Sequence, residues 1–565
     1  MEERTPARPV SARFDRWDRL VFFTLIFVLL ALMRWPVPLR PILDVDESVS
    51  ALIANAWLDG GVPYKDAIDQ RGPVTYLIYA GVFALFGRGN MTAVHGALLA
   101  LVFLATWLAD RFARRLAPDR FGEVWGLTAA FLLAVGTFTY KRTQFLAFHT
   151  EWPTLVLSLL GMMLTWQALQ AASRSPRRDL VLAGLAFGAS FLAKQPAIFD
   201  GAAAGVFLLL TAAFERRLFT RETLLKAVAL AGGFVAAVLA AVAYFAAEGA
   251  LADFYLYFWS YNVDHYTAVV PLSEKISGLN PWDHSRHYLR SNPLLLFGVG
   301  VELLRTAWVT ARRFRGLAGI EQARLLLALW FVFGYFGASF SGRNFGHYFI
   351  QIIAPACLLT AGLLVEAWQR IAEWARARRA WLWAGRALLV GGTAAALTFS
   401  VHRYHRELAV LRLSQPARTD ATFERLLAVL RARTTPEDSI FVWGYHPEVY
   451  LLAPRKPASR YSNTNYLTGM LPWENHQHGV DTSPHIVPGA MKVLLAELEA
   501  NKPKAIVDTA PGDHRFYRKY PIRDFPPLAR YLKQRYERAV KVPDRQGRTY
   551  YVVYLRREAG GASGG

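Results

Sequence analysis

The chain has 565 residues, 53% of them hydrophobic, one cysteine and a formal net charge of +21. Such a chain is not built around one soluble core. Its apolar residues fall in runs of about 14–22 separated by short basic loops, the pattern of a polytopic α-helical membrane protein. The basic excess then marks cytoplasmic loops rather than a nucleic-acid surface, and Cys357 alone excludes an intramolecular disulfide.

Run length and flanking charge predict about eleven spans. In chain order they are 19–34, 92–110, 122–139, 152–171, 180–193, 196–213, 226–246, 292–310, 322–340, 348–366 and 382–400. The first has no small-residue cleavage site and reads as an anchor. Arg13, Arg16 and Arg19 put residues 1–18 in the cytoplasm. The basic loops around Arg114, Arg177, Arg217, Arg313 and Arg376 fall on the same side, provided that the short apolar piece Val74–Phe86 does not cross. The loops at 34–91, 140–152, 194–196, 247–291 and 341–348 then face outward from a plasma (inner) membrane, as does everything after about residue 400.

Residues 19–400 form the predicted transmembrane domain. In residues 401–558 the apolar runs shorten, and Pro, Asp and Tyr rise. Ser439–Trp443, Ala505–Asp508 and Thr549–Leu555 read as strands, and Phe423–Arg433, Gly489–Ala500 and Pro527–Arg538 as amphipathic helices. Together they predict a small extracytoplasmic α/β domain, followed by a flexible Gly-rich tail at 559–565.

The polar chemistry gathers on the outer side. Asp44, Asp46 and Glu47 follow the first span, and at a bilayer centre each would cost about 2.5–3.5 kcal/mol, so they belong in water or a protein cavity. Asp46 is expected to cap a helix from Glu47 to Asp59 that stops at Gly60-Gly61. Then come Pro63-Tyr64-Lys65-Asp66, Asp69-Gln70-Arg71-Gly72-Pro73, Tyr76 and Phe86-Gly87. His149-Thr150-Glu151 heads a later span, where an acid also suits the helix dipole; His149 is a structural group, a proton acceptor or a metal ligand. Lys194-Gln195-Pro196 interrupts an apolar stretch, so the Lys must snorkel or bind something. In Ser341-Gly342-Arg343-Asn344-Phe345-Gly346-His347-Tyr348, the Arg can grip a phosphate bidentately. The aromatic stretch Phe254–Tyr266, with Asn262, reads as an interfacial helix or an aromatic belt. Glu474, His476, His478, Asp481 and His485 form an acidic-histidine loop without metal-site spacing. No Walker loop, Rossmann fingerprint or zinc spacing occurs.

The outer-loop pattern of Asp46-Glu47, Pro63-Tyr64-x-Asp66, Arg71 with Gly-Pro, Tyr76 and Phe86-Gly87 resembles the first outer loop of GT-C glycosyltransferases. The nearest pattern is that of the bacterial protein-mannosyltransferase and aminoarabinose-transferase superfamily, glycosyltransferase family 39-like, over about residues 15–370. The resemblance implies a GT-C-type membrane domain. It also implies inverting transfer of a sugar from a polyprenyl-phosphate donor to a hydroxyl acceptor (lipid, glycan or protein) at the outer face. On that basis Asp46 is the first catalytic candidate, with Glu47, Asp44 and Glu151 behind it. Lys194, Arg343, His347 and Arg71 are assigned to donor phosphate, and Tyr64, Asp66, Tyr76, His149, Asn262 and Tyr348 to substrate. Such an inversion needs a carboxylate for the acceptor's proton and cations for the leaving phosphate. A divalent cation is the one cofactor left open, with no metal ligand assigned. A transporter or flippase for lipid-linked saccharides is the alternative, but it should show paired halves with interrupted helices near the midplane. A ligase moving a whole glycan is a third reading that sequence does not separate from monosaccharide transfer.

Overall fold

The computed structural model describes residues 15–35, 37–138, 143–171, 173–280, 288–313, 316–339, 341–343, 345–374, 379–413 and 421–557. The predicted tail at 559–565, most of the segment 1–18, and Tyr140-Lys141-Arg142 lie outside the described residues.

The membrane part is helical: α1 (Arg16–Arg34), α2 (Val45–Leu58), α3 (Pro73–Phe86), α4 (Met91–Leu116), α5 (Arg120–Gly136), α6 (Glu151–Leu169), α7 (Pro176–Ala193), α8 (Ile198–Phe214) and α9 (Arg221–Ala247). A short α10 (Leu251–Phe254) runs into a π-helix at Tyr255–Thr267, the aromatic stretch of the sequence. Then follow α11 (Leu272–Gly278), α12 (Pro293–Arg312), α13 (Ile320–Ser339), α14 (Ile353–Trp374) and α15 (Arg379–Leu413). Among the described residues, seven candidate spans are long and apolar enough to cross a membrane, and they include α4, α6, α9, α12 and most of α15. The other two are α8 and α14, each with the turn that precedes it. The predicted spans within α1, α5, α7 and α13 are helices too, but shorter or less apolar than that measure. Helix α3 has 14 residues. At about 1.5 Å per residue it is shorter than a hydrocarbon core of about 30 Å.

Small residues bring the helices together. Helix α7 packs on α6 and α9. A Cβ on Gly184 would lie 2.1 Å from the Leu230 carbonyl oxygen, and one on Gly233 2.1 Å from that of Val181, so the two backbones touch only because both positions are glycine. Gly72 does the same for the outer loop. A Cβ there would lie 1.9 Å from the Leu192 oxygen, which seats the Arg71 turn against the end of α7.

The C-terminal part holds a five-stranded sheet of β1 (Ser439–Trp443), β2 (Lys456–Pro457), β3 (Ala505–Asp508), β4 (Tyr536–Pro543) and β5 (Thr549–Arg556), in the order β2-β1-β3-β5-β4. The β2–β1 and β1–β3 pairs are parallel, and β3–β5 and β5–β4 antiparallel. Strand periodicity splits β1 and β3 between two cores. Ile440, Val442, Ala505 and Val507 pack under helix Ala421–Arg433. Phe441, Trp443 and Ile506 share a core with Val49, Ile53, Tyr64 and Tyr76, which fastens the sheet domain onto α2 and the first loop.

Among the boundaries that move, two have a clear local cause. The helix expected at Pro527–Arg538 spans Pro526–Arg535, and β4 begins at Tyr536. Its pairing with β5, and the buried Tyr536 hydroxyl donating to the Pro503 carbonyl (2.7 Å), override the helical pattern of the last residues. Helix α2 begins two residues earlier than expected, at Val45, because Asp44 rather than Asp46 is its N-cap.

The loops that the charge pattern assigns to one side do meet in one place, beside the sheet domain. In a Cys357→Ser background, Val480→Cys in that domain is expected to react with an impermeant maleimide on intact cells. Ala117→Cys, between α4 and α5, should react only after permeabilisation. The reverse pattern would invert the topology.

Candidate active site

A cavity of about 690 Å³ opens where these loops converge. Its wall takes Asp44 and Asp46 from α2, Arg71 from the first loop, Glu151 from the head of α6, Lys194 from the α7–α8 break, and His347. Local chemistry explains the placement of the aspartates and of Lys194. The Asp44 carboxylate accepts from the Asp46 backbone N–H (3.0 Å), which caps α2 and leaves the Asp46 side chain in the first turn, facing the cavity. Pro196 ends the apolar run after Ala193, so Lys194 adopts an extended backbone between two helices.

The carboxylates divide by accessibility. Asp46 keeps 16% of its side chain exposed, against 1% for Glu151 and none for Glu47. Glu47 is occupied by structure: it accepts from the backbone N–H groups of Phe148 (2.7 Å) and Leu43 (2.8 Å) and lies 3.1 Å from His95 Nε2. One Asp46 oxygen pairs with Arg71, and the other lies 3.7 Å from His149 Nδ1. Arg71 also binds Asp69 (2.7 Å), so it bridges two carboxylates. Burial, reinforced by the Asp46 charge, pushes the Asp44 carboxyl up to about 6. Burial opposes the Asp46 charge as well, but Arg71 and His149 outweigh it and hold that carboxyl well below the usual range.

Lys194 pairs with Glu151 and rests 3.6 Å from the Tyr348 ring centroid. The His149 and His347 rings stack at 4.1 Å, and His347 Nε2 lies 3.9 Å from Glu151. Arg343 does not line the cavity. It lies flat on Tyr266 (3.4 Å) and donates to the Tyr266 carbonyl (2.7 Å), while its Nε and Nη1 are buried without a hydrogen-bond partner. The Tyr266 and Tyr348 hydroxyls are 3.0 Å apart, which links that arginine to the Lys194 corner.

The other sequence candidates support the wall from behind. Tyr64 donates to the Arg71 carbonyl (2.6 Å), Tyr76 to Asp69 (2.9 Å), and Asp66 accepts from the Val62 N–H (2.8 Å). Asn262 lines the cavity while its amide donates to the Gln70 carbonyl (2.8 Å), as Gln195 does (3.0 Å). Asp69 and Gln195 also belong to the site and stand inside the loop motifs of the sequence, without a role assigned to them there. Gln351 and the cavity residues of the sheet domain carry no local signal in the sequence.

Among the described residues, Asp46, His149 and His347 are the one trio whose carboxylate and imidazole ligand atoms all lie within 4.8 Å of one another. His149 Nε2 and His347 Nδ1 are buried without hydrogen-bond partners. One carboxylate and two imidazoles suit a zinc-like divalent cation. The Glu474–His485 loop supplies no such group among the described residues.

Residues 70–248 match the family model described as dolichyl-phosphate-mannose-protein mannosyltransferase. No curated protein matches the chain by sequence. Among solved structures, the chain is similar to the oligosaccharyltransferase of Archaeoglobus fulgidus tethered with an acceptor peptide, with TM-score 0.54 and 14% identity over 96% of this chain and 74% of that one. It is similar to apo ArnT from Cupriavidus metallidurans, with TM-score 0.53 and 14% identity over 95% of this chain and 98% of that one. The same ArnT bound to undecaprenyl phosphate matches with TM-score 0.51 and 13% identity over 96% and 98%. The chain is therefore a multi-pass membrane protein with the GT-C glycosyltransferase fold, and its sheet domain is part of that likeness.

Proposed function

We propose that the protein is an inverting glycosyltransferase that moves a sugar from a polyprenyl-phosphate donor to a hydroxyl acceptor at the extracytoplasmic face of the plasma membrane. The observation that carries this reading is one cavity in which an accessible carboxylate, Asp46, faces the cations Arg71 and Lys194. Inversion at an anomeric carbon needs a base on the acceptor's hydroxyl, while the leaving phosphate needs positive charge and no general acid. Arg71 couples the two needs. When a donor phosphate shares its guanidinium, Asp46 loses part of the partner that depresses its proton affinity, so the base gains strength once the donor is bound. The likeness to ArnT bound to undecaprenyl phosphate supports the lipid-linked donor.

Purified protein in detergent, given radiolabelled polyprenyl-phosphate sugar or the matching nucleotide sugar, tests this. Transfer is expected from the lipid-linked donor alone. Transfer from a nucleotide sugar in the absence of lipid carrier would overturn it.

The trio of Asp46, His149 and His347 supports a second element, a bound divalent cation that would add charge neutralisation next to the leaving phosphate. Elemental analysis of the purified protein is expected to find about one equivalent of metal, lost in His149→Ala and His347→Ala. A fully active protein without metal would remove this element and leave the carboxylate reading standing.

A further inference from the structure

The cavity has two chemically different walls. All of its charged lining residues, among them Asp44, Asp46, Arg71 and Lys194, come from the membrane part. Among the described residues, the sheet domain contributes only neutral ones, chiefly Tyr445, Asn463, Asn465, Tyr466 and Trp473. The nearby Arg515 is held by Glu448 and the Tyr445 carbonyl and is not offered to the cavity.

That neutral wall has unused hydrogen-bonding capacity. Asn463 and Asn465 are 4% and 7% exposed, and Tyr445 and Tyr466 7% and 4%. The Asn463 and Asn465 side-chain oxygens are satisfied, by the Asn465 N–H (3.3 Å) and the Tyr517 hydroxyl (3.0 Å). Among the described residues their amide nitrogens and the hydroxyls of Tyr445 and Tyr466 make no hydrogen bond, and none of the four atoms is sealed from the cavity, so they stand open to a ligand there. Trp473 stands beside them with 48% of its surface exposed. Its backbone is left-handed (φ 71°), and its ring packs edge-on at 5.3 Å against Phe516, which is left-handed too (φ 72°). Two bulky residues in that conformation are costly, and such strain persists where the surroundings hold a side chain in a working position.

We infer that this wall is the acceptor subsite and that the acceptor it takes is a neutral saccharide. This rests on the glycosyltransferase reading. A pyranose offers hydroxyl groups around its edge for amides and phenols, and a C–H face that stacks on an exposed indole. A phosphorylated lipid headgroup would call for cations, and this wall has none to offer. An acidic or basic peptide would call for an opposite charge that is equally missing. The donor, held by its phosphate, takes the charged wall, and so the neutral wall falls to the acceptor.

The whole protein in detergent, without donor, is to be tested against an array of neutral oligosaccharides, a library of Ser/Thr peptides and vesicles containing phosphatidylglycerol. Saccharide binding is expected, weakened at least tenfold by Trp473→Ala and largely retained by Trp473→Phe, with thermal unfolding unchanged in both. In transfer assays Trp473→Ala should raise the KM for a saccharide acceptor and leave the donor KM alone. The inference is overturned if Trp473→Ala binds saccharides like the wild type, if the loss falls on the donor KM, or if peptides or vesicles are the ligands that Trp473→Ala releases. Trp473-dependent saccharide binding in a protein that transfers nothing from a lipid-phosphate donor would instead sink the transferase reading and leave the subsite in place.

Discussion

Asp46→Asn is expected to lower turnover about a thousandfold while folding stays close to normal. The substitution keeps the side chain's shape and removes only the ability to take a proton. Arg71 is not orphaned by it, since Asp69 still holds the guanidinium at 2.7 Å. The start of α2 is not weakened either, because Asp44 and not Asp46 is the cap. Asp44→Asn is the necessary companion. Asparagine caps as well as aspartate, so that variant deletes a buried charge and little else. On proton affinity alone Asp44 is the better base, since burial has already raised it to about 6, whereas Asp46 is held low by Arg71 and His149. Geometry favours Asp46, because one Asp44 oxygen is committed to the Asp46 N–H and Asp46 faces both Arg71 and His149. Rate measurements on both variants separate the two arguments. Collapse of transfer in Asp44→Asn with near-normal transfer in Asp46→Asn would move the base by two residues.

Lys194→Ala is expected to cut kcat/KM for the lipid-linked donor about a hundredfold or more, the usual size of losing one preorganised charge at a leaving oxygen. The single variant also strands Glu151, which is 1% exposed and paired with Lys194. Removing one partner of such a buried pair costs about 3–5 kcal/mol. The Lys194→Met, Glu151→Gln double variant separates the two effects. It leaves no buried charge, so thermal stability should return towards that of the wild type while donor kcat/KM stays low. Recovery of activity together with stability would mean that Lys194 only neutralises Glu151 and never touches the phosphate.

Much of this molecule was legible in the chain because its signals are local. A Lys and a Pro inside an apolar run marked the break between α7 and α8, since neither residue can continue a buried helix there. The carboxylates after the first span marked a polar cavity, because hydrocarbon does not hold them. The strands β1, β3 and β5 were readable as short apolar or alternating runs. What the sequence could not decide are choices between equals. Asp44 and Asp46 are both good caps two residues apart, and only the path of the chain before α2 selects Asp44. Residues 536–538 continue an amphipathic helical pattern, and only pairing with β5 makes them strand.

The sequence by itself thus determined the class of the protein, the order of its helices, and which loops gather at one cavity. Those follow from transfer energies that each segment carries alone. The tertiary structure alone decided how the carboxylates divide. Glu47 is drawn into backbone hydrogen bonds and Glu151 into a buried ion pair, and Asp46 stays open beside Arg71. It also decided that Tyr445, Asn465 and Trp473, hundreds of residues downstream of Asp46, complete the cavity. These are contacts between segments far apart in the chain, and neutral side chains leave no trace of such contacts until the fold brings them together.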